Sequence, residues 1–179
     1  TEHGWGDADT PLSAEAILTR EKTKTWETVR DLLKGDDAIL AVLSYGDLYH
    51  NLKAAIKDAA APGSHGNVYF DDCEVDGVRM AKIVAEKDWQ ALPAHMREAA
   101  KEASETFLHT GDGQLCDIIV DRSALAAIYE CGKNASDAII RDYAETTVAV
   151  ADIKIAVRSQ KTGKHLDFMR RAMAPCDSL

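Results

Sequence analysis

Apolar residues recur along most of this chain at three- and four-residue intervals, the spacing of helices that bury one face. In the first such stretch Ile17, Trp26, Val29, Leu32 and Leu33 keep that spacing. Thr10-Pro11 suits its start, because proline at the first helical position gives up only an N–H that has no helical partner. Gly35 suits its end. Asp36 or Asp37 then caps a second helix to about Ala61, with Ile39, Leu40, Val42, Leu43, Leu48, Leu52 and Ile56 on its apolar face, and Pro62-Gly63 stops it. Residues 62–74 read as loop, extended over 67–70. A short amphipathic helix follows over 78–89. Leu92-Pro93 opens another that runs to His109 and is broken by Gly111-Asp112-Gly113. Residues 114–131 form the next, with Leu115, Ile118, Ile119, Leu125 and Ile128 inward. Ser136 is the expected N-cap of a long helix that stops near Gly163, and a last helix covers 164–173, before Pro175. The pattern predicts seven helices and almost no strand, an all-α fold of packed helical bundles.

Two of these helices read alike, about a hundred residues apart. Residues 37–57 are DAILAVLSYGDLYHNLKAAIK and residues 137–158 are DAIIRDYAETTVAVADIKIAVR. Both open Asp-Ala-Ile. Both close on [Asn/Asp]-[Leu/Ile]-Lys-x-Ala-[Ile/Val]-[Lys/Arg], as Asn51-Leu52-Lys53 to Lys57 and Asp152-Ile153-Lys154 to Arg158, and the start and the close align with a one-residue insertion between them. A period this long is no solenoid repeat of twenty to fifty residues. It predicts a duplicated helical subdomain, with residues 11–62 carrying the first repeat helix and 78–163 the second. Residues 63–77 then form a loop, 164–179 start a following segment, and 1–10 are a polar, glycine-rich, poorly ordered remnant. Duplication favours an architectural part over a single catalytic pocket. Asn51 and Asp152 are polar positions inside long helices. Solvated faces explain the lysines and the arginine of the motif. Two readings stand for Asn51 and Asp152: solvated like them, or buried between helices and hydrogen-bonded, as buried polar groups must be.

The chain has 179 residues, enough for a sizeable core, and a net charge of -9, which argues against a general nucleic-acid binder. No apolar run reaches the length of a membrane span. No leader is in view. The first residue is not methionine, and a fragment of a longer protein is expected. Cys73, Cys116, Cys131 and Cys176 include no CxxC pair, which argues against zinc knuckles and redox motifs and for a reducing compartment. Cys116 and Cys131, in apolar helical context, are expected in the core.

Candidate chemistry is thin. Asp72, Glu74, Asp76 and Gly77 fall at positions 1, 3, 5 and 6 of a calcium loop, but position 12, where a bidentate carboxylate is required, is Ile83. A solvated acidic turn is the better reading. His3, His50, His65, His95, His109 and His165 form no HExxH or HxxxH pair. His109 suits a helix C-terminus, and His50 suits packing or an interface. There is no phosphate-cradling GxxxxGK[ST], no GxGxxG and no GxSxG. Asn134-Ala135-Ser136 fits the glycosylation pattern, with a helix-cap role for Ser136 the better explanation. No cofactor, metal or catalytic residue is expected.

At Tyr49-His50-Asn51-Leu52-Lys53 the chain resembles the C subunit of archaeal and bacterial V/A-type ATP synthases, equivalent to the d subunit of eukaryotic V-ATPases. The second copy, Asp152-Ile153-Lys154 through Arg158, followed by a Lys-Thr-Gly-Lys turn and DFMRRAM before Pro175, resembles that family's second motif, with Asp152 where the family often has Asn. Asp47 also stands one position earlier than the family's acidic residue. The resemblance spans most of residues 13–179. It implies an all-helical, funnel-shaped subunit of three similar subdomains about a pseudo-threefold axis, of which this chain holds the middle. It further implies a non-catalytic rotor part on the cytoplasmic side of the membrane. Its partners would be the shaft subunits of the soluble ATPase head and the membrane ring, and it would couple ATP turnover to proton or sodium movement. The matched motifs read as structural, and no contact residues transfer with them. Two rivals are a helical scaffold unrelated to rotary ATPases, binding partner helices in grooves, and a carboxylate-bridged metal enzyme, which needs Glu-x-x-His on two helices and finds none here.

Overall fold

The computed structural model describes residues 14–33, 37–60, 69–70 and 72–179. Among them the chain forms seven α-helices and no strand: α1 Ala14–Leu32, α2 Asp37–Ala60, α3 Gly77–Glu86, α4 Arg97–Thr110, α5 Gly113–Lys133, α6 Ala138–Lys161 and α7 Leu166–Ala172. The short 3₁₀ turns Trp89–Ala91 and Ala94–Met96 lead from α3 into α4. The expected all-α architecture is the one observed. Several boundaries move. The helix expected over 78–89 ends at Glu86, where Lys87 takes the left-handed conformation at φ 56°, and Trp89 belongs to the 3₁₀ turn that follows. The helix expected from Leu92-Pro93 begins only at Arg97. The N-cap of α6 is Asp137, whose carboxylate accepts from the Ile139 N–H at 2.8 Å, and not Ser136. The remnant at 1–10, the Thr10-Pro11 start and the Gly35 and Pro62-Gly63 stops lie outside the described residues.

Local chemistry accounts for most of the ends. Asp76 caps α3 through the Arg79 N–H at 2.9 Å. Asp112 caps α5 through the N–H groups of Gln114 and Leu115. Gly111, at φ 65°, lets α4 end in a left-handed turn that a Cβ would strain. One Gly-Asp-Gly run thus ends one helix and starts the next.

Helix α5 is the hub. It packs on α2, α4, α6 and α7, so apolar residues surround it rather than lining one face. The main core joins Leu48, Tyr49, Leu52 and Ile56 of α2 to Met80, Ile83 and Val84 of α3, Met96 and Ala100 before and on α4, and Cys116 and Val120 of α5. Two smaller cores continue along α5, one of Val42, Ile128 and Ala144, the other of Tyr129, Val148 and Ala174. Helix α1 behaves differently. Leu32, expected inward, is 79% exposed, and α1 meets the body through polar side chains: Lys22 pairs with Asp47 at 2.6 Å and lies over the Phe70 ring, and Arg30 pairs with Asp72 at 2.5 Å. Of the cysteines expected in the core, Cys116 is fully buried and Cys131 only partly.

The repeat is deeper than the motif. Both long helices have 24 residues and run unbroken, so no inserted residue interrupts either one. The spacing of 101 that separates Asn51 from Asp152 therefore holds along both. It carries α2 onto α6, and α1 onto residues 115–133 of α5. Asp37 is the first residue of α2, whereas Asp137 is the cap before α6. The apparent insertion is this shift of the capping residue.

Candidate functional site

The repeat residues divide between two faces of their helices. Leu52 and Asn51 turn inward; both are fully buried. The Asn51 amide donates to the Phe70 carbonyl at 2.8 Å and to the Val75 carbonyl at 3.5 Å, and its oxygen accepts the Phe70 N–H at 2.8 Å. It clasps the backbone that returns after α2. Asp152, also buried, does the same office after α6, where its carboxylate accepts the Ala174 N–H at 3.1 Å. Both positions are buried and hydrogen-bonded, but to the backbone of segments outside the helices, at Phe70, Val75 and Ala174, rather than to facing helices. Burial holds the Asp152 carboxyl above the usual carboxylate range, partly offset by the Ala174 N–H. An acid whose folded value is raised favours the folded state below its unfolded value and loses that advantage as pH rises through the folded one. Asp152→Asn keeps an oxygen for Ala174 and removes the charge. Its melting temperature is expected to exceed that of the parent by a few degrees at neutral pH, with the difference vanishing below pH ~4, where the unfolded carboxyl is also protonated. Identical melting at both pH values would show that Asp152 ionises without cost.

Tyr49, His50, Lys53, Lys154 and Arg158 of the motif line a groove of about 380 Å³ floored by α5 and walled by α2 and α6, and Lys57 and Ile153 lie outside it. Tyr49, at its base, is buried and hydrogen-bonds through its hydroxyl to His95 Nδ1 at 2.9 Å, the His95 carbonyl at 3.1 Å and Ser123 Oγ at 3.2 Å. Burial pushes the phenol up to about 12 and the imidazole down, so both stay neutral near pH 7. This knot ties α2, α5 and the turn before α4 together. His50 lies edge-on to the Phe70 ring at 4.9 Å between centroids, a packing contact. Lys53 pairs with Asp121 at 2.6 Å and Lys57 with Asp117 at 2.6 Å, two ladder rungs between antiparallel α2 and α5. Lys154 and Arg158 enter the same groove from α6 and have no ion-pair partner among the described residues. Ile153 is 51% exposed on α6.

Three groups of this site escaped the sequence pattern: Asp117 with Asp121, His95, and Ser123. The carboxylates were the most findable, since both they and Lys53/Lys57 stand four residues apart, one turn of helix. His95 and Ser123 carry no such signal.

The groove offers cations, hydroxyls and aliphatic walls. Among the described residues no group of three or more His, Cys, Asp or Glu is placed to hold a metal ion, and Asp72 and Asp76 of the acidic turn pair with Arg30 and cap α3. Among the described residues no helix is long and apolar enough to cross a membrane. A family model described as ATP synthase (C/AC39) subunit matches residues 3–179. No curated protein matches the chain, and no solved structure does.

Proposed function

The chain belongs to the ATP synthase (C/AC39) subunit family, and from that premise we propose that it is a non-catalytic coupling part of a V/A-type rotary ATPase. In this reading it is the socket between the soluble shaft and the ion-carrying ring, on the cytoplasmic side of the membrane. It carries torque between ATP turnover and proton or sodium transport. The single observation behind the reading is the family match over nearly the whole chain. The physical character of the site supports it. A part that transmits torque must resist bending. Here two helices of 24 residues, each about 36 Å long, flank one central helix: a buried hydroxyl knot and two ion-pair rungs tie α2 to α5, and a backbone clasp ties each long helix to the chain that returns after it. The motif residues serve that locking. The shaft and ring subunits are the proposed partners.

The test is to tag the native protein, solubilise its membranes gently and identify what co-purifies. Recovery of ATPase head, shaft and ring subunits together with ATP hydrolysis is expected. A chain that comes away with no ATPase subunit would overturn the assignment in favour of a free-standing helical scaffold.

A further inference from the structure

Helix α2 carries a glycine that its own packing does not require. Gly46 lies inside a helix of 24 residues, where glycine is a weaker helix former than alanine. A Cβ at this position would meet nothing within 4 Å. Other glycines have a packing reason: a Cβ on Gly77 would strike the Tyr69 side chain, and one on Gly132 would strike Ala144. The space beside Gly46 is the groove between α2, α5 and α6, which this residue helps to line. The Lys53–Asp121 pair sets the register. Gly46 comes seven residues before Lys53 on α2, and Ile128 comes seven after Asp121 on antiparallel α5, so both stand at one end of the groove. That end is apolar, with Leu125 beside Ile128. The other end is cationic. Arg158 and Asp121 also line a second hollow of about 300 Å³ between α5, α6 and α7, which Lys164 enters. The two carboxylates that line these hollows are both held by lysines of α2, Asp121 by Lys53 and Asp117 by Lys57. Lys164 donates to the neutral side chain of Gln114 at 2.9 Å. Lys154 and Arg158 have no ion-pair partner among the described residues. In a chain of net charge -9, positive charge has gathered where none of the described acids meets it.

We propose that the groove binds an organic phosphate monoester, with its phosphate at Arg158 and Lys154 and its apolar body along Leu125 and Ile128 toward Gly46. A phosphate monoester carries about -1.5 to -2 charges at pH 7, which answers both cations. A carboxylate would answer only one of them. The planar fork of Arg158 can take two phosphate oxygens at once, and Lys154, one turn away on the same helix, supplies a point charge beside it. The groove of about 380 Å³ lies at the small end of the range for small-molecule sites and takes a single ring or a short chain. The missing side chain at Gly46 leaves the backbone of α2 open to that body, a recurrent use of glycine where a ligand approaches closely. The ester is either a free metabolite or the head of a lipid, and the same contacts serve both. The inference stands on the groove and its charges and does not depend on which assembly the chain serves.

The probes are phenyl phosphate, inorganic phosphate, and phosphatidylcholine vesicles with and without phosphatidic acid, each titrated into the intact chain while amide shifts are followed. Phenyl phosphate is expected to saturate, with shifts over Gly46, Ile128, Lys154 and Arg158. It should bind at least about tenfold more tightly than inorganic phosphate, because its ring leaves water. K154A/R158A changes two exposed residues and is expected to weaken binding at least about tenfold. G46L places a side chain in the groove from a position with open space. It is expected to melt no lower than the parent and to lose at least about tenfold in affinity. Vesicle binding that needs phosphatidic acid and is lost in both variants would place the ester on a lipid, and saturation by phenyl phosphate without it would place the ester in solution. No saturation by either probe, or affinity unchanged in G46L or in K154A/R158A, would overturn the proposal. Inorganic phosphate binding as tightly as phenyl phosphate would leave an adventitious ion only. A G46L chain that melts several degrees below the parent would also sink it, since the glycine would then serve the fold.

Discussion

Asn51→Ala is expected to destabilise the chain by about 2–3 kcal/mol and to lower its melting temperature by roughly 5–10 °C. The side chain makes three hydrogen bonds to the backbone of Phe70 and Val75 from a fully buried position. Alanine cannot replace any of them. The carbonyl of Val75, itself a buried residue, then loses this donor, and a polar atom left unpaired away from water costs more than an average hydrogen bond contributes. The loss should also be local. Val75 leads into Asp76, the cap of α3, so amide protection is expected to fall first over 70–80 and last on α5. Circular dichroism melts and hydrogen exchange measure both. A melt within about 1 °C of the parent would mean that the clasp is dispensable.

Gly132→Ala is expected to cost about 2 kcal/mol even though alanine is the better helix former by about 1 kcal/mol. Gly132 sits where α5 crosses α6, and a Cβ there would lie 2.1 Å from the Cβ of Ala144. The two helices must part, and the packing of Ile128 and Val42 around Ala144 loosens with them. Ala144 is fully buried and cannot swing aside, having no rotamer to change. The companion change Ala144→Gly moves the missing methyl from one helix to the other. The double variant should therefore recover to within about 1 kcal/mol of the parent, although Ala144→Gly alone destabilises by about 1 kcal/mol or more. Additive costs in this cycle would show that the helices do not meet at these two residues.

Much of this architecture was legible before any coordinates. Helix periodicity, the Gly-Asp-Gly break and the duplicated motif located the helices, because those signals act within a few residues along the chain. The Asn51 clasp was legible only halfway. A polar residue repeated at one phase of two helices left a buried reading open beside a solvated one, and the partners, Phe70 and Ala174, lie 19 and 22 residues on and were fixed by how the chain folds back. Ser136 was the natural cap by residue type, yet Asp137 sits one residue closer and has the stronger acceptor. Leu32 fitted the apolar spacing and proved exposed, because a period says which residues share a face and not whether anything covers it.

That distinction marks the limit. The sequence by itself determined an all-helical chain and the kinship of its two motifs with one subunit family, since these rest on local propensity and on residues compared with residues. Only the tertiary structure decided that Tyr49 of the first copy is sealed beneath α5 while Val150 of the second faces solvent. The apolar stripes of the two copies are written in the same alphabet, and burial is a property of the neighbour that arrives rather than of the residues that wait.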